Sequence, residues 1–332
     1  MGLRFSVGIG LTNECNLRCA HCYRPDRVID RLTVGDVERA CGSLPVRSVN
    51  LGVGENGLHP EYRAILALLW ERGLPVSITS NGLSVQSLPD EIVKRFHSVE
   101  CSLDFPTERE HDSFRGRGNW RLVMETLERT SGLGVPVTVT AVMMRENRLR
   151  LVELARLAAA VGANLRVNVY QPSKSDHFSV SYEEFWDALR HLAGATRLVA
   201  TTEPVLAGVL GLEGFAGPGC GRTTVRVAPD GRILPCTYWP DSRLRLADLE
   251  ALGESITETA EFTAARQVPP VCAGCPCGGG CAGRRALLGD LAAADPFCPV
   301  ARGDRLALRW ERAGPEDLPK VGSACTTVVS AR

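Results

Sequence analysis

Short runs of apolar and β-branched residues alternate with longer segments of helical periodicity through the N-terminal two thirds of the chain. The short runs predict strands because turn residues bound them, and the longer segments predict amphipathic helices. Strands that alternate with helices are typical of a parallel sheet with right-handed crossovers, which indicates an α/β fold. The predicted strands are 5–11, 48–53, 75–81, 98–104, 136–143 and 165–170. The predicted helices are 34–44, 60–72, 89–96, 119–131, 147–161 and 181–193.

The pattern changes after about residue 200. Residues 223–236 predict a β-hairpin with Asp230 and Gly231 at its turn. Residues 262–303 are rich in glycine, proline and cysteine and lack periodicity, so we expect bound metal to hold this segment together. We therefore divide the chain into an N-terminal α/β domain, a linker, a small cysteine-rich domain and a C-terminal tail, at 1–195, 196–218, 219–303 and 304–332.

Charge balance and apolar content narrow the class of protein. The chain has 332 residues with 38 basic and 38 acidic side chains, which argues against a protein that coats nucleic acid. No run of 18 apolar residues predicts a spanning helix, and the N-terminus lacks the pattern of a secretory signal. We expect a cytoplasmic protein without membrane or nucleic-acid partners. In that compartment the 13 cysteines indicate metal binding or catalysis rather than disulfides.

Three cysteines lie close together near the N-terminus, in the segment CNLRCAHC. Cys15, Cys19 and Cys22 have the spacing C-x3-C-x2-C, and three thiolates in one loop can hold three irons of a cubane cluster. The fourth iron then lacks a protein ligand, and an open metal position is what a catalytic site needs. A zinc site completed by His21 is the alternative interpretation of the same residues.

This motif resembles the signature of the radical S-adenosylmethionine (SAM) enzymes, and further segments match that family in order along residues 8–170. The segment GVGENGLHP at 52–60 resembles the family's G-G-E-P, with Gly54 and Glu55 matching and Val53 and Asn56 departing, and HDSFRG at 111–116 resembles H-D-x-x-R-G. The resemblance implies a partial (β/α)6 barrel that binds SAM at the C-terminal ends of its strands. The SAM contacts that it implies are Tyr23, Gly54, Glu55, Ser80, Asn81, Ser102, Asp104, Arg115 and Val142.

The resemblance also implies a role for several of these contacts. Tyr23 would flank the adenine of SAM, near which Val142 would also lie. Glu55 would meet the ammonium group, and Ser80 with Asn81 would contact the ribose or the carboxylate. Arg115 is implied as a partner of the SAM carboxylate, since an arginine fork matches a carboxylate well.

Three glycines of the same region allow a different interpretation. Gly52, Gly54 and Gly57 spell G-x-G-x-x-G, the fingerprint of dinucleotide-binding folds. That fingerprint follows the first strand of its unit, and an acidic residue comes about twenty residues later. Here the glycines follow the second predicted strand, and residues 75–83 contain no acidic residue, which argues against a nicotinamide enzyme.

A second group of cysteines lies in the last third of the chain, and its spacing resembles the SPASM extension of radical SAM enzymes. The resemblance implies one or two auxiliary 4Fe–4S clusters beside the SAM-binding cluster. The ligands implied for the cluster farther from SAM are Cys272, Cys275, Cys281 and Cys298. Cys220 and Cys236 would begin the nearer one.

Arg285 stands where that pattern has a further cysteine, so several arrangements stay open. Either Cys277 replaces the missing ligand of the nearer cluster, or one iron of that cluster keeps an open position. A single cluster of the shorter twitch type would instead use Cys220, Cys236, Cys272 and Cys275. A pair of zinc knuckles is the alternative that the spacing alone allows.

The other three cysteines receive no metal. We expect Cys41 and Cys101 to be small buried hydrophobes, because Cys101 points away from the barrel interior if Ser102 points into it. Cys325 lies in the predicted tail, where we expect it to be exposed and without a role.

The family resemblance implies reductive cleavage of SAM to a 5′-deoxyadenosyl radical that abstracts a carbon-bound hydrogen, with a flavodoxin or ferredoxin as electron donor. An auxiliary cluster can accept the second electron, so we favour a dehydrogenase that oxidises a small hydroxylated substrate, an amino sugar or aminocyclitol of an antibiotic pathway. The first strand begins at residue 4 or 5, so we expect no N-terminal peptide-recognition domain.

Two other reactions stay open. A maturase of a ribosomal peptide is one alternative, and an epimerase with a cysteine hydrogen donor is the other. The candidate catalytic or substrate-side residues are Asn168, Tyr170, Gln171 and Cys277.

Overall fold

A parallel six-stranded sheet forms the N-terminal half of the protein, as the hydrophobic pattern predicts. A computed structural model describes residues 4–24, 28–212, 219–314 and 325–332. The first six strands lie side by side in chain order and pair in parallel, and each predicted strand is confirmed to within a few residues. They are β1 (Phe5–Ile9), β2 (Val46–Leu51), β3 (Val76–Ser80), β4 (Ser98–Ser102), β5 (Val137–Met143) and β6 (Asn164–Val169).

Helices connect these strands, and local sequence signals mark where several of them begin. Thr33 and Ser181 each form a capping box, in which the side chain accepts a hydrogen bond from the backbone three residues on. The helices are α1 (Val34–Gly42), α2 (Tyr62–Glu71), α3 (Leu83–Gln86), α4 (Asp90–Val93), α5 (Glu108–Arg115), α6 (Asn119–Gly132), α7 (Leu151–Ala160) and α8 (Tyr182–Ala195). The hydrophobic pattern missed α5 because His111 is its only buried residue.

The C-terminal part extends the same sheet instead of forming a separate one. The strands are β7 (Thr196–Thr201), β8 (Thr224–Val227), β9 (Ile233–Leu234) and β10 (Thr326–Ala331). The helices are α9 (Pro204–Val209), α10 (Leu246–Leu252), α11 (Ala260–Arg266), α12 (Ala282–Leu287) and α13 (Pro299–Arg302), with 3-10 turns at Asn56–Leu58, Gly253–Glu258 and Pro270–Cys272. The sheet order is β7-β10-β6-β5-β4-β3-β2-β1-β8-β9, and β8 with β9 is the predicted hairpin.

Two predicted irregular segments take part in this sheet. The linker expected at 196–218 contains β7 and α9, and the tail expected at 304–332 contains β10. β10 inserts antiparallel between β6 and β7, so the chain returns from its C-terminus to the barrel. Residues 213–218 of the linker and 315–324 of the tail lie outside the described residues.

Side-chain alternation along the strands separates the core from the cavity of the barrel. On β4, Val99 and Cys101 are fully buried in the hydrophobic core, whereas Glu100 and Ser102 line the cavity. Cys41 is also a core residue, so the prediction of two buried structural cysteines is confirmed. Within the described part of the chain, no helix combines the length and the apolar character needed to cross a membrane.

Candidate active site

A cavity of about 550 Å³ opens at the carboxyl ends of the parallel strands. Cys15, Cys19 and Cys22 line it, and so do most of the residues that the sequence assigns to SAM. Those residues are Tyr23, Gly54, Glu55, Ser80, Asn81, Ser102, Arg115 and Val142. The substrate-side candidates Asn168, Tyr170 and Gln171 line it as well, whereas Cys277 does not.

The loop after β1 holds the three N-terminal cysteines at the edge of this cavity. Cys15 Sγ accepts hydrogen bonds from Leu17 N at 3.4 Å and from Asn81 Nδ2 at 3.6 Å. Burial raises the pKa of Cys19 to about 11. Three thiols that converge in one loop fit the iron–sulfur cluster that the spacing predicts, because thiolates are the ligands of such clusters.

Arg24 supports this loop, a role that the sequence did not reveal. Its guanidinium is buried and donates to the carbonyl oxygens of Asn13 at 2.9 Å and Leu17 at 2.8 Å. The Asn13 side chain in turn donates to Val28 O at 2.7 Å. These bonds tie the start of the cysteine loop to the segment around Val28 that follows it, and no motif or periodicity marks them in advance.

The turn after β2 packs directly under the cysteine loop. Gly54 has φ +61°, and a Cβ there would lie 2.5 Å from Glu14 O and would also collide with Thr12 O. Val53, the position that departs from the family's glycine, has φ +69°. That conformation is an outlier for a β-branched residue, so Val53 is strained where glycine would not be.

Glu55 is buried and bonded within the chain. One carboxylate oxygen accepts from Ser80 Oγ at 2.5 Å, from Ser84 N at 2.7 Å and from Ser84 Oγ, and the other accepts from Asn81 N at 2.9 Å. Glu55 therefore fixes the turn after β3, including Ser80 and Asn81. This bracing role was not expected from the sequence, which pointed to Glu55 as a direct contact of the SAM ammonium.

A buried ion pair orients Arg115. Its Nε donates to Asp104 Oδ2 at 2.6 Å, while Asp104 Oδ1 accepts from Val142 N at 2.9 Å. Burial alone would raise the pKa of Asp104, but the charges of Arg115 and His21 hold it at about 2. Asp104 is fully buried and does not line the cavity, so it acts by positioning Arg115 and the end of β5.

His21 lies against the same carboxylate. Its Nε2 is 3.6 Å from Asp104 Oδ2, and its ring stacks on Phe114 with centroids 4.9 Å apart. Burial lowers the pKa of His21 to about 4, so the ring is neutral at pH 7. One ring nitrogen thus faces a carboxylate, a contact that the zinc interpretation of the sequence does not include.

The opposite wall of the cavity comes from the C-terminal part of the chain. Tyr23 packs edge-on against Tyr238 with centroids 5.3 Å apart, and burial raises the pKa of Tyr23 to about 12. Arg226 on β8 lies against Gly8, where any Cβ would collide with its guanidinium.

Arg166 on β6 pairs with Glu100 on β4 at 2.6 Å, inside the barrel. The alternation of the predicted strands could have identified these inward charges.

Three of the C-terminal cysteines lie close together in the structure. Cys275, Cys277 and Cys298 lie with their sulfur atoms within 4.8 Å of one another, so Cys277 rather than Cys281 belongs to this triad. Cys281 lies beside Cys325 instead. Cys325, which we expected to be exposed and without a role, is half-buried beside another cysteine.

Arg285, at the position where the SPASM pattern has a cysteine, makes hydrogen bonds within the chain. Its side chain is buried and donates to Leu291 O and, at 3.2 Å, to Gln267 O. Arg285 therefore ties together the loops on either side of α12.

We predict that the strain at Val53 can be released. Val53→Gly should raise the free energy of unfolding by up to about 1 kcal/mol. A left-handed conformation costs an L-residue about 1–2 kcal/mol, and the larger conformational entropy of glycine in the unfolded chain offsets part of the gain. Urea unfolding measures the change. Gly54→Ala is the matched control and should destabilise by more than about 2 kcal/mol, because its Cβ meets backbone carbonyls. A destabilised Val53→Gly would contradict the interpretation.

Asp104→Asn should lower the free energy of unfolding at pH 7 by about 3 kcal/mol, since it leaves the buried Arg115 charge unpaired. The folded pKa of Asp104 lies below its ordinary value, so its stabilisation is complete above about pH 4 and is lost as the pH falls toward 2. The gap between variant and wild type in urea unfolding should therefore narrow at pH 3.

Asp90→Asn is the control for that experiment, because Asp90 is 58% exposed in its surface pair with Arg129. It should change the stability by less than about 1 kcal/mol. An equal loss in both variants would show that the Asp104 pair has no special part in the fold.

Comparison with known proteins agrees with this geometry. Residues 9–158 match the Radical SAM superfamily. Mycofactocin maturase MftC of Mycolicibacterium smegmatis is 27% identical over 92% of this chain and 85% of that protein. The PqqA peptide cyclase of Ruegeria pomeroyi is 26% identical over 87% of this chain and 85% of that protein.

Solved structures share the fold at low sequence identity. Streptococcus suis SuiB bound to S-adenosylmethionine has a TM-score of 0.66 and 15% identity, covering 89% of this chain and 77% of that one. The structure of anSMEcpe with bound AdoMet and the Cp18Cys peptide has a TM-score of 0.67 and 17% identity, covering 90% of this chain and 94% of that one.

Radical SAM proteins bind SAM and a 4Fe–4S cluster, and the cysteine loop of this chain offers the donor set that such a cluster needs. Residues 9–158 therefore match the radical SAM superfamily, and the chain has a radical SAM α/β fold that carries a cysteine triad in its C-terminal part.

Proposed function

We propose that this protein is a radical SAM enzyme that modifies a peptide. The observation that carries the proposal is that relatives matching most of this chain and most of their own length are a mycofactocin maturase and a peptide cyclase. AlbA of Bacillus subtilis, a bacteriocin biosynthesis protein, is 23% identical over 69% of this chain and 54% of that protein. These relatives favour the peptide alternative over the amino sugar or aminocyclitol that the sequence led us to prefer.

Different residues around the cavity would hold the cluster and SAM. Cys15, Cys19 and Cys22 would bind the cluster, and Asn81 donates to Cys15 from the end of β3. Arg115, oriented by Asp104, presents a guanidinium that suits the carboxylate of SAM. When bound, the reduced cluster and SAM supply a carbon-centred radical that removes a hydrogen atom from the substrate.

The size of the cavity limits how much of a peptide enters it. A volume of about 550 Å³ lies within the range of small-ligand sites and also takes SAM and the cluster, so only the reacting part of a peptide enters. Tyr170, whose hydroxyl donates to Ser175 O at 2.7 Å, stands on one side, and Tyr238 stands on the other. The charges inside the cavity come from Arg166, Glu100 and Arg226, and they can orient polar groups of the peptide backbone or side chains.

Nothing comparable supports an epimerase with Cys277 as hydrogen donor. Cys277 packs with Cys275 and Cys298 and does not line the cavity. Its thiol is therefore better placed to bind a metal in the C-terminal part of the chain than to donate hydrogen to a substrate.

Substrate class is tested with anaerobically reconstituted protein, SAM and dithionite. We expect 5′-deoxyadenosine to form, and a short peptide encoded beside this gene to change mass in proportion to it. Backbone- or side-chain-deuterated peptide should transfer deuterium to 5′-deoxyadenosine. Cys19→Ala is the control and should form neither product. A two-dalton loss on an amino sugar, with every neighbouring peptide unchanged, would overturn the proposal.

Arg115→Lys should weaken SAM binding about 10- to 100-fold, because lysine loses the planar fork that matches a carboxylate. Equilibrium dialysis with reconstituted protein and no reductant measures this. Arg121→Lys is the control, since Arg121 is 70% exposed in a surface pair with Glu108. Unchanged affinity in Arg115→Lys would remove Arg115 from the SAM site.

A further inference from the structure

Four cysteines from separate parts of the chain meet beside the barrel. We propose that Cys220, Cys236, Cys281 and Cys325 hold an auxiliary 4Fe–4S cluster, with its fourth ligand supplied by the C-terminal strand. This site goes beyond the proposed peptide chemistry, because its ligand set does not depend on which substrate the cavity takes.

The four thiols form two pairs that lie near each other. Cys220 lies beside Cys236, with both packed in one cluster with Ala282, and Cys281 lies beside Cys325. The charges of Cys281 and Cys325 both act on Cys220. The four thiols therefore lie in one region of the structure.

Strand β10 brings Cys325 to that place. Thr326, the next residue, pairs with Asn168 near the carboxyl end of β6, so Cys325 lies at the cavity edge of the sheet. Thr326 N donates to Thr202 Oγ1 at 3.3 Å, and Thr202 N donates to Thr326 O at 2.8 Å. The position of Cys325 is thus fixed by backbone bonds to the segment between β7 and α9.

Cys281 is fixed to the same segment by buried charges. Arg284 on α12 donates to Glu203 at 2.9 Å and to Asp295 at 2.7 Å, and all three side chains are buried. Asp295 also accepts from Cys281 N at 2.7 Å. Because Glu203 directly follows Thr202, one rigid unit holds both Cys281 and Cys325.

The other pair packs against α12. A Cβ at Gly283 would lie 2.8 Å from Cys236 Sγ, so the helix backbone directly approaches this sulfur. Tyr238 N donates to Cys236 Sγ at 3.5 Å. A backbone donor aimed at a ligand sulfur is typical of iron–sulfur sites, where such bonds set the reduction potential.

Chemistry favours a cluster over a single ion. In the described residues, these four thiols do not form a group of three within 4.8 Å of one another, as Cys275, Cys277 and Cys298 do. Tetrahedral zinc would draw sulfur ligands to about 4 Å from each other, given Zn–S bonds of about 2.3 Å. A cubane has room for the wider spacing. Cys325 also supplies the ligand that Arg285, bonded to backbone carbonyls, cannot.

The decisive variant is Cys325→Ser, reconstituted anaerobically as the full chain and compared with Cys41→Ser. Cys325→Ser should lose about four irons and four sulfides per chain, or about one iron with the EPR signal of a three-iron cluster. Cys41→Ser, a core thiol outside both sets, should keep the wild-type iron content. Unchanged iron, sulfide and EPR in Cys325→Ser would overturn the proposal, and so would zinc without sulfide in the wild type.

Two further measurements keep the test decisive if Cys325→Ser folds poorly. Cys281→Ser should remove the same Mössbauer component as Cys325→Ser, and Cys277→Ser should remove a different one. Loss of the same component in all three variants would refute the grouping. In the wild type, iodoacetamide should modify Cys325 at least ten times faster after the iron is chelated, as read by peptide mass spectrometry. Equal rates before and after chelation would overturn the assignment.

Discussion

The parallel pairing of the first six strands is the constraint on which the site depends. It places the carboxyl ends of all six strands at one edge, so the loops that follow them converge on one cavity. The cysteine loop follows β1, the strained turn at Val53 and Gly54 follows β2, and Asn81 follows β3. No long-range signal in the sequence has to bring these groups together, because the sheet does so.

A buried arginine then joins the barrel to the cysteine-rich part. Arg284 lies between Glu203 and Asp295 and also stacks over Phe297 at 4.5 Å. Burying three charged groups is costly, and their mutual attraction offsets that cost only when the geometry is good. The network therefore serves mainly to fix the position of α12 and of the cysteines beside it. A shift of α12 would separate Cys281 from Cys325.

Local periodicity predicted most of the regular structure. Strands β1 to β6 and the longer helices follow from apolar spacing and capping residues, which act over a few neighbouring positions. Periodicity did not predict helix α5, because the helix is almost entirely polar. Its position depends on hydrogen bonds of His111 and Arg115 with Asp104 and Asn119. Strand β10 escaped although Thr326–Ala331 is rich in β-branched residues, because we expected the end of the chain to be a tail.

The sequence by itself determined the α/β class, the three-cysteine loop and a set of the polar residues around the cavity, because each rests on a local motif or on strand periodicity. The tertiary structure decided how the remaining cysteines are grouped. Cys277 joins Cys275 and Cys298, and Cys281 meets Cys325, because α12 and β10 are positioned by contacts between distant segments. Spacing along the chain carries no information about such contacts.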